Sequence, residues 1–169
     1  KAIQKLQLDK EVIILVATSG DTGKAALEGF KNVDGTRIIE FYPAHGVSKV
    51  QELQMVTTDG TNTSVVGVEG NFDDCQSAVK EIFADKALAE RMAQAGYQFS
   101  SANSINWGRL LPQIVYYFAA YLKLVNQNAI AYGDKVDFVV PTGNFGNILA
   151  AWYAGQMGLP VGQLVCASN

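Results

Sequence analysis

The sequence has few basic residues, few cysteines and no long apolar run, and each shortage excludes a class of protein. Its 13 lysines and arginines are outnumbered by 16 aspartates and glutamates, which gives a formal net charge of -3. Nucleic acids and anionic membranes attract clustered Lys and Arg, so this scattered basic set predicts neither partner. The 2 cysteines form no disulfide framework, which favours a reducing, cytoplasmic compartment. No apolar stretch approaches the roughly 20 residues that cross a bilayer.

Histidine is equally scarce, whereas apolar residues are plentiful. His45 is the single histidine, so a histidine-dependent triad or a metal cluster has little to build on, and we expect no metal site. Hydrophobic residues make up 49% of the chain, which is ample for a folded core.

The chain lacks an initiator Met, and residues 1–8 are typical of the end of a helix already under way. We therefore interpret it as a fragment of a longer protein.

Apolar, β-branched runs alternate with amphipathic stretches along the chain. Strands are predicted over 11–17, 37–42, 64–68, 137–140 and 163–167, and helices over 25–30, 49–57, 72–83, 88–94, 109–124 and 148–157. Ser48 is a plausible N-cap of the second helix. This rhythm predicts an α/β fold with an open parallel sheet flanked by helices. The polar loop 127–135 predicts a boundary between a domain over 1–132 and a second segment over 133–169.

Two glycine-containing turns follow predicted strands, at the edge where ligands of parallel sheets bind. They are 18–23 (TSGDTG) and 143–147 (GNFGN), and neither matches the dinucleotide fingerprint or the P-loop. Backbone amides of 143–147 suit a phosphate, but a plain tight turn explains the pattern equally well. For the first turn, helix capping by Ser19 or Asp21 is the simpler interpretation.

A third polar cluster, 103–109 (NSINWGR), precedes the long helix. Arg109 near a helix start opposes the helix dipole, which indicates a bound anion, although a surface arginine is the alternative. Cys75 on an apolar helix face and Cys166 at a strand end are both expected to be buried structural thiols.

Five segments together resemble one family: VATSGDTGKAALEGF, YPAHGVSKVQELQM, NFDDCQ, SSANSINWGRLLPQIVYYF and VPTGNFGNILA. In this order, across almost the whole chain, they resemble threonine synthase, a fold-type II pyridoxal 5'-phosphate (PLP) enzyme, in the branch of many bacteria and fungi. That family converts O-phosphohomoserine and water into threonine and inorganic phosphate. The resemblance implies the family's small central domain, with the end of a preceding helix, over 1–132 and the start of the large PLP-binding domain over 133–169.

The resemblance also implies a ligand for each turn. The cradle of the PLP phosphate matches Gly143, Asn144, Phe145, Gly146 and Asn147. The loop that meets the substrate carboxylate and the cofactor face matches Thr18, Ser19, Gly20, Asp21 and Thr22, with Asp21 where related enzymes place an asparagine that contacts the PLP hydroxyl. Residues that hold the substrate phosphate match Ser104, Asn106 and Arg109.

One departure concerns the Schiff-base lysine, which the family places in a Phe-Lys-Asp motif upstream of the first strand. This chain has no such motif, and Lys24 and Lys49 stand elsewhere in the pattern. We expect the chain alone to be inactive, to need the remainder of its own chain, and to self-associate through apolar surface. Three alternatives are another fold-type II lyase (a dehydratase or sulfhydrylase), a non-catalytic homologue, and a nucleotide-binding α/β module.

Overall fold

A computed structural model describes residues 9–103 and 106–168, without the side chain of Asp21. The chain divides into two compact units, of which the first ends at Asn103 and the second takes the remainder. These units are packing units of this chain and are distinct from the domains of a longer protein. The boundary near residue 132 therefore stays a prediction.

The first unit is a four-stranded parallel sheet with helices on both faces. Its strands are β1 (Glu11–Ala17), β2 (Thr36–Pro43), β3 (Thr63–Val68) and β4 (Tyr97–Ser101), in the order β3-β2-β1-β4. Its helices are α1 (Asp21–Phe30), α2 (Lys49–Val56), α3 (Phe72–Ala84) and α4 (Lys86–Gln94).

Strand β1 lies between β2 and β4 and contributes to two cores, because successive side chains point to opposite faces of a sheet. One face packs against α1 and α2, through Val12, Ile14, Val16, Ile38, Leu27 and Met55. The other packs against α3, through Ile13, Leu15, Ala17, Cys75 and Val79. Burial on both faces explains the continuous apolar run of β1 and confirms a parallel sheet flanked by helices.

The second unit contains the parallel pair β5 (Val136–Pro141) and β6 (Val161–Ala167) with helices α5 (Trp107–Asn126) and α6 (Gly146–Gln156). One stripe of α5 packs on the alanine face of α6, through Leu110, Ile114, Tyr117, Tyr121, Ala150, Ala151 and Ala154. The small alanine side chains let the two helices approach closely.

Three sequence expectations differ from the structure. The pattern misses β4, a strand of 5 residues in which only Ser101 is buried, and it starts α1 at residue 25 instead of Asp21. Cys75 is buried as expected, but Cys166 is exposed, because β6 buries none of its side chains fully. Among the described residues, no helix has the length and apolarity that a membrane span requires.

Candidate functional site: two helix-start turns

The loop 18–23 joins the carboxyl end of β1 to the start of α1 in the first unit. Thr18 is 1% exposed, and its Oγ1 accepts hydrogen bonds from the backbone N–H groups of Gly20 (3.0 Å) and Gly23 (2.9 Å). Gly20 is the N-cap residue of α1 with φ +147°, and a Cβ there would collide with the side chain of Gln51. The N-cap position that the sequence analysis gave to Ser19 or Asp21 is therefore occupied by Gly20, which has no side chain.

Asn103, from the third polar cluster, is bonded to the start of the same loop. Its Oδ1 accepts from the N–H of Ala17 (2.9 Å), and its Nδ2 donates to the Ala17 carbonyl (2.8 Å). The structure thus brings two of the sequence motifs together within the first unit. Ser104 and the side chain of Asp21 lie outside the described residues, so the roles implied for them stay predictions.

Glu40 lies beneath this loop and is a residue that the sequence analysis misses. It is 0% exposed, and within the described part of the chain its carboxylate oxygens have no hydrogen-bond partner. A Cβ on Gly23 would collide with this carboxylate and would lie 2.5 Å from Cγ2 of Thr18. Burial raises the pKa of Glu40 to about 7, and the charge of Lys24 acts in the opposite direction. The sequence feature that could have identified Glu40 is its carboxylate, which lies inside the apolar run RIIEFY.

The turn 143–147 joins β5 to α6 in the second unit. Gly143, Asn144 and Phe145 are exposed, whereas Gly146 is buried as the first residue of α6. Phe145 supplies no side-chain cap, and the first turn of α6 holds no acidic residue. A Cβ on Gly143 would enter open space. The partial positive charge at such a helix start suits an anion.

A chain of hydrogen bonds links this turn to the helix that carries Arg109. The Tyr117 hydroxyl donates to Asn147 Oδ1 (2.6 Å), and Asn147 Nδ2 donates to Gln113 Oε1 (2.9 Å). Gln113 Nε2 in turn donates to the Arg109 carbonyl (3.0 Å). Burial raises the pKa of Tyr117, which keeps its hydroxyl a donor. The sequence analysis misses Gln113 and Tyr117, although their four-residue spacing from Arg109 places all three on one helix face.

The start of α5 holds the other predicted anion contacts. Asn106 is the N-cap residue, and its Oδ1 accepts from the N–H of Gly108 (2.9 Å). Arg109 is half-buried and lies in the first turn of α5, as predicted. Within the second unit, one polar network therefore joins the backbone carbonyl of Arg109 to the turn 143–147. The loop 18–23 belongs to the first unit.

Comparison with known proteins finds relatives that are similar over most of this chain. No protein-family model matches it. Threonine synthase-like 1 of Homo sapiens is 52% identical over 163 residues, which are 93% of this chain and 22% of that protein. Threonine synthase of Pseudomonas aeruginosa is 48% identical over 160 residues, which are 95% of this chain and 32% of that protein.

A solved structure agrees with these relatives. PLP-bound threonine synthase from Brucella melitensis matches with a TM-score of 0.75 and 43% identity, over 98% of this chain and 33% of that chain. The chain thus spans about a fifth to a third of the length of the proteins that it matches. Over the stretch that it spans, the chain is homologous to threonine synthases.

Proposed function

We propose that this chain is part of a PLP-dependent threonine synthase, which converts O-phosphohomoserine and water into threonine and phosphate. The observation that carries the proposal is the start of α6. There an exposed, glycine-containing turn follows a parallel strand and has neither a side-chain cap nor an acidic residue in its first helical turn. A relative at 43% identity is described as PLP-bound, which supports the same cofactor here.

The residues of 143–147 suit the phosphate of PLP. Backbone N–H groups at a helix start are the donors that phosphates use, and the open space beside Gly143 leaves room for close approach. Asn147 is fixed by Tyr117 and Gln113, so the turn needs little reordering when an anion arrives. When bound, PLP supplies an electron sink for carbanion chemistry on the substrate.

Two further groups of residues are proposed to bind the substrate. Arg109, with Asn106 and Ser104, receives the phosphate of O-phosphohomoserine. A guanidinium in a first helical turn is disfavoured by the dipole, and a bound phosphate reverses that cost through charge-assisted hydrogen bonds. Residues 18–22 are proposed to meet the substrate carboxylate at the start of α1.

The test separates the two anion sites in the intact parent enzyme. Arg109→Ala is expected to lower kcat/KM for O-phosphohomoserine by roughly ten- to a few hundred-fold, because it removes a charge-assisted bond to the substrate phosphate. PLP affinity should stay unchanged. Arg109→Lys should recover only part of the loss, since a point charge cannot replace the bidentate guanidinium.

Gly143→Val is the matched variant at the other site. Its side chain would fill the space beside the turn, so PLP occupancy should fall while the substrate-phosphate contacts remain. Titrations of PLP and of O-phosphohomoserine on both variants give the answer. Loss of PLP affinity without loss of substrate affinity in Arg109→Ala would show that the two assignments are wrong.

A non-catalytic homologue is the second candidate, since the relatives at 51–52% identity are named threonine synthase-like 1, a name that states no activity. Phosphate release by the parent from O-phosphohomoserine decides between the two. A dehydratase or sulfhydrylase would instead act on substrates without phosphate, for which Arg109 has no evident use.

A further inference from the structure

The carboxyl group of Glu40 occupies a position that an ionised group tolerates poorly. It is fully buried on β2, both of its oxygens lack a hydrogen-bond partner among the described residues, and it lies against Gly23 and Thr18. A buried carboxylate without partners is strongly disfavoured, whereas the neutral acid is disfavoured much less. The contact with Gly23 is so close that no Cβ fits between the two groups.

We propose that Glu40 is a proton-controlled positioning residue, which keeps the loop 18–23 in the observed conformation only while its carboxyl group is protonated. Ionisation requires water or a counter-charge at the carboxylate, and Gly23 lies directly against it. Gly23 must therefore move away, which breaks its N–H bond to Thr18 Oγ1. Because the same oxygen accepts from Gly20, the whole turn loosens.

Among the side chains that the structure describes, few charged groups act on this carboxyl. In the neighbouring strands its register partners are the apolar Val16 of β1 and Val65 of β3. Lys24 of α1 lowers the pKa of Glu40, but its ammonium is already bonded to Glu28 and Thr58. On α2, Lys49 and Glu52 pair with each other at 2.8 Å.

The pKa of about 7 places the change of charge near neutral pH. An anion bound at the start of α1 would further disfavour the ionised form, so its binding would take up a proton. This consequence rests on the proposed function, in which the loop meets the substrate carboxylate. Substrate affinity is then expected to fall as the pH rises above 7.

Amide hydrogen exchange of the 169-residue chain, without cofactor or substrate, tests the switch. After correction for the intrinsic rates, the amides of Gly20 and Gly23 should exchange about tenfold faster at pH 8 than at pH 6, in step with the ionised fraction of Glu40. The amide of Leu27, in the core of α1, reports global unfolding, and it should stay far better protected than Gly20 and Gly23 at both pH values if the turn opens while the chain stays folded. In Glu40→Gln the pH dependence should disappear, and in the exposed control Glu90→Gln it should remain.

Two results would overturn the proposal: protection of Gly20 and Gly23 that does not change with pH, or a pH dependence that survives Glu40→Gln. A carboxyl-carbon NMR titration of Glu40 in the unaltered chain provides a second measurement that needs no variant, and an ordinary pKa near 4.5 would also contradict the switch. Since neither experiment includes PLP or substrate, its failure leaves the proposed function standing. Conversely, a parent that releases no phosphate leaves the switch standing.

Discussion

At the scale of single residues, the conformation of the loop 18–23 depends more on contacts with side chains from elsewhere in the chain than on the composition of the loop. Gly20 is favoured because its φ is +147°, a conformation that other residues rarely adopt, and a side chain there would also displace the end of Gln51. Gly23 is required because Glu40 lies directly against it. Each of these contacts joins residues that are distant in sequence, so the pattern TSGDTG showed a helix start but not the reason for its glycines.

The buried carboxyl group of Glu40 should make stability depend on pH. Its pKa is raised from 4.5 to about 7 in the folded chain, so between these values the folded state holds a proton that the unfolded state has released. The free energy of unfolding therefore falls as the pH rises from about 4.5 to 7, by at most about 3 kcal/mol. Glu40→Gln should remove this fall.

Urea unfolding at pH 5 and pH 8 measures this effect. Glu40→Gln should match the unaltered chain at pH 5 and exceed it in stability at pH 8, while the exposed Glu90→Gln should behave like the unaltered chain at both. Equal losses of stability between pH 5 and 8 in all three proteins would assign the pH dependence to other groups.

At the scale of helices and strands, local signals were sufficient where an element carries its own pattern. β1 was predicted with the bounds that it has, and Ser48 was confirmed as the N-cap of α2. β4 was missed because it is short and mostly half-buried, and its place beside β1 depends on pairing that no local pattern encodes. For the same reason, Arg109 and the turn 143–147 were recognised singly, whereas the network through Gln113 and Tyr117 was not.

Removal of the cap at Ser48 should destabilise the first unit. The Ser48 Oγ accepts from the Gln51 N–H (3.2 Å), and Gln51 Oε1 accepts from the Ser48 N–H (3.0 Å). Ser48→Ala breaks the first bond and should lower the free energy of unfolding by about 1 kcal/mol. Ser48→Thr keeps the hydroxyl and is the control. Denaturant unfolding that shows no difference between the two variants would mean that the cap contributes nothing to stability.

At the scale of the whole molecule, the two units differ in how completely they bury their apolar residues. The first covers both faces of its central strand. The second leaves large apolar side chains exposed, among them Val115, Tyr116, Val139, Phe145, Trp152 and Met157. Exposed apolar surface of this kind marks an interaction site or a tendency to associate. Self-association of the isolated chain therefore stays a prediction that these exposures support.

The last prediction concerns the lysines of the chain. The 169 residues alone should neither bind PLP covalently nor release phosphate from O-phosphohomoserine. Attachment requires an unprotonated lysine at the cofactor. Lys24 bonds to Glu28 and Thr58, and the Glu52 carboxylate raises the pKa of Lys49, so both are poor nucleophiles. Borohydride reduction with PLP, followed by peptide mass mapping, should find only weak, scattered labelling. One specific lysine that is labelled stoichiometrically would contradict this, because the chain would then contain its own attachment residue.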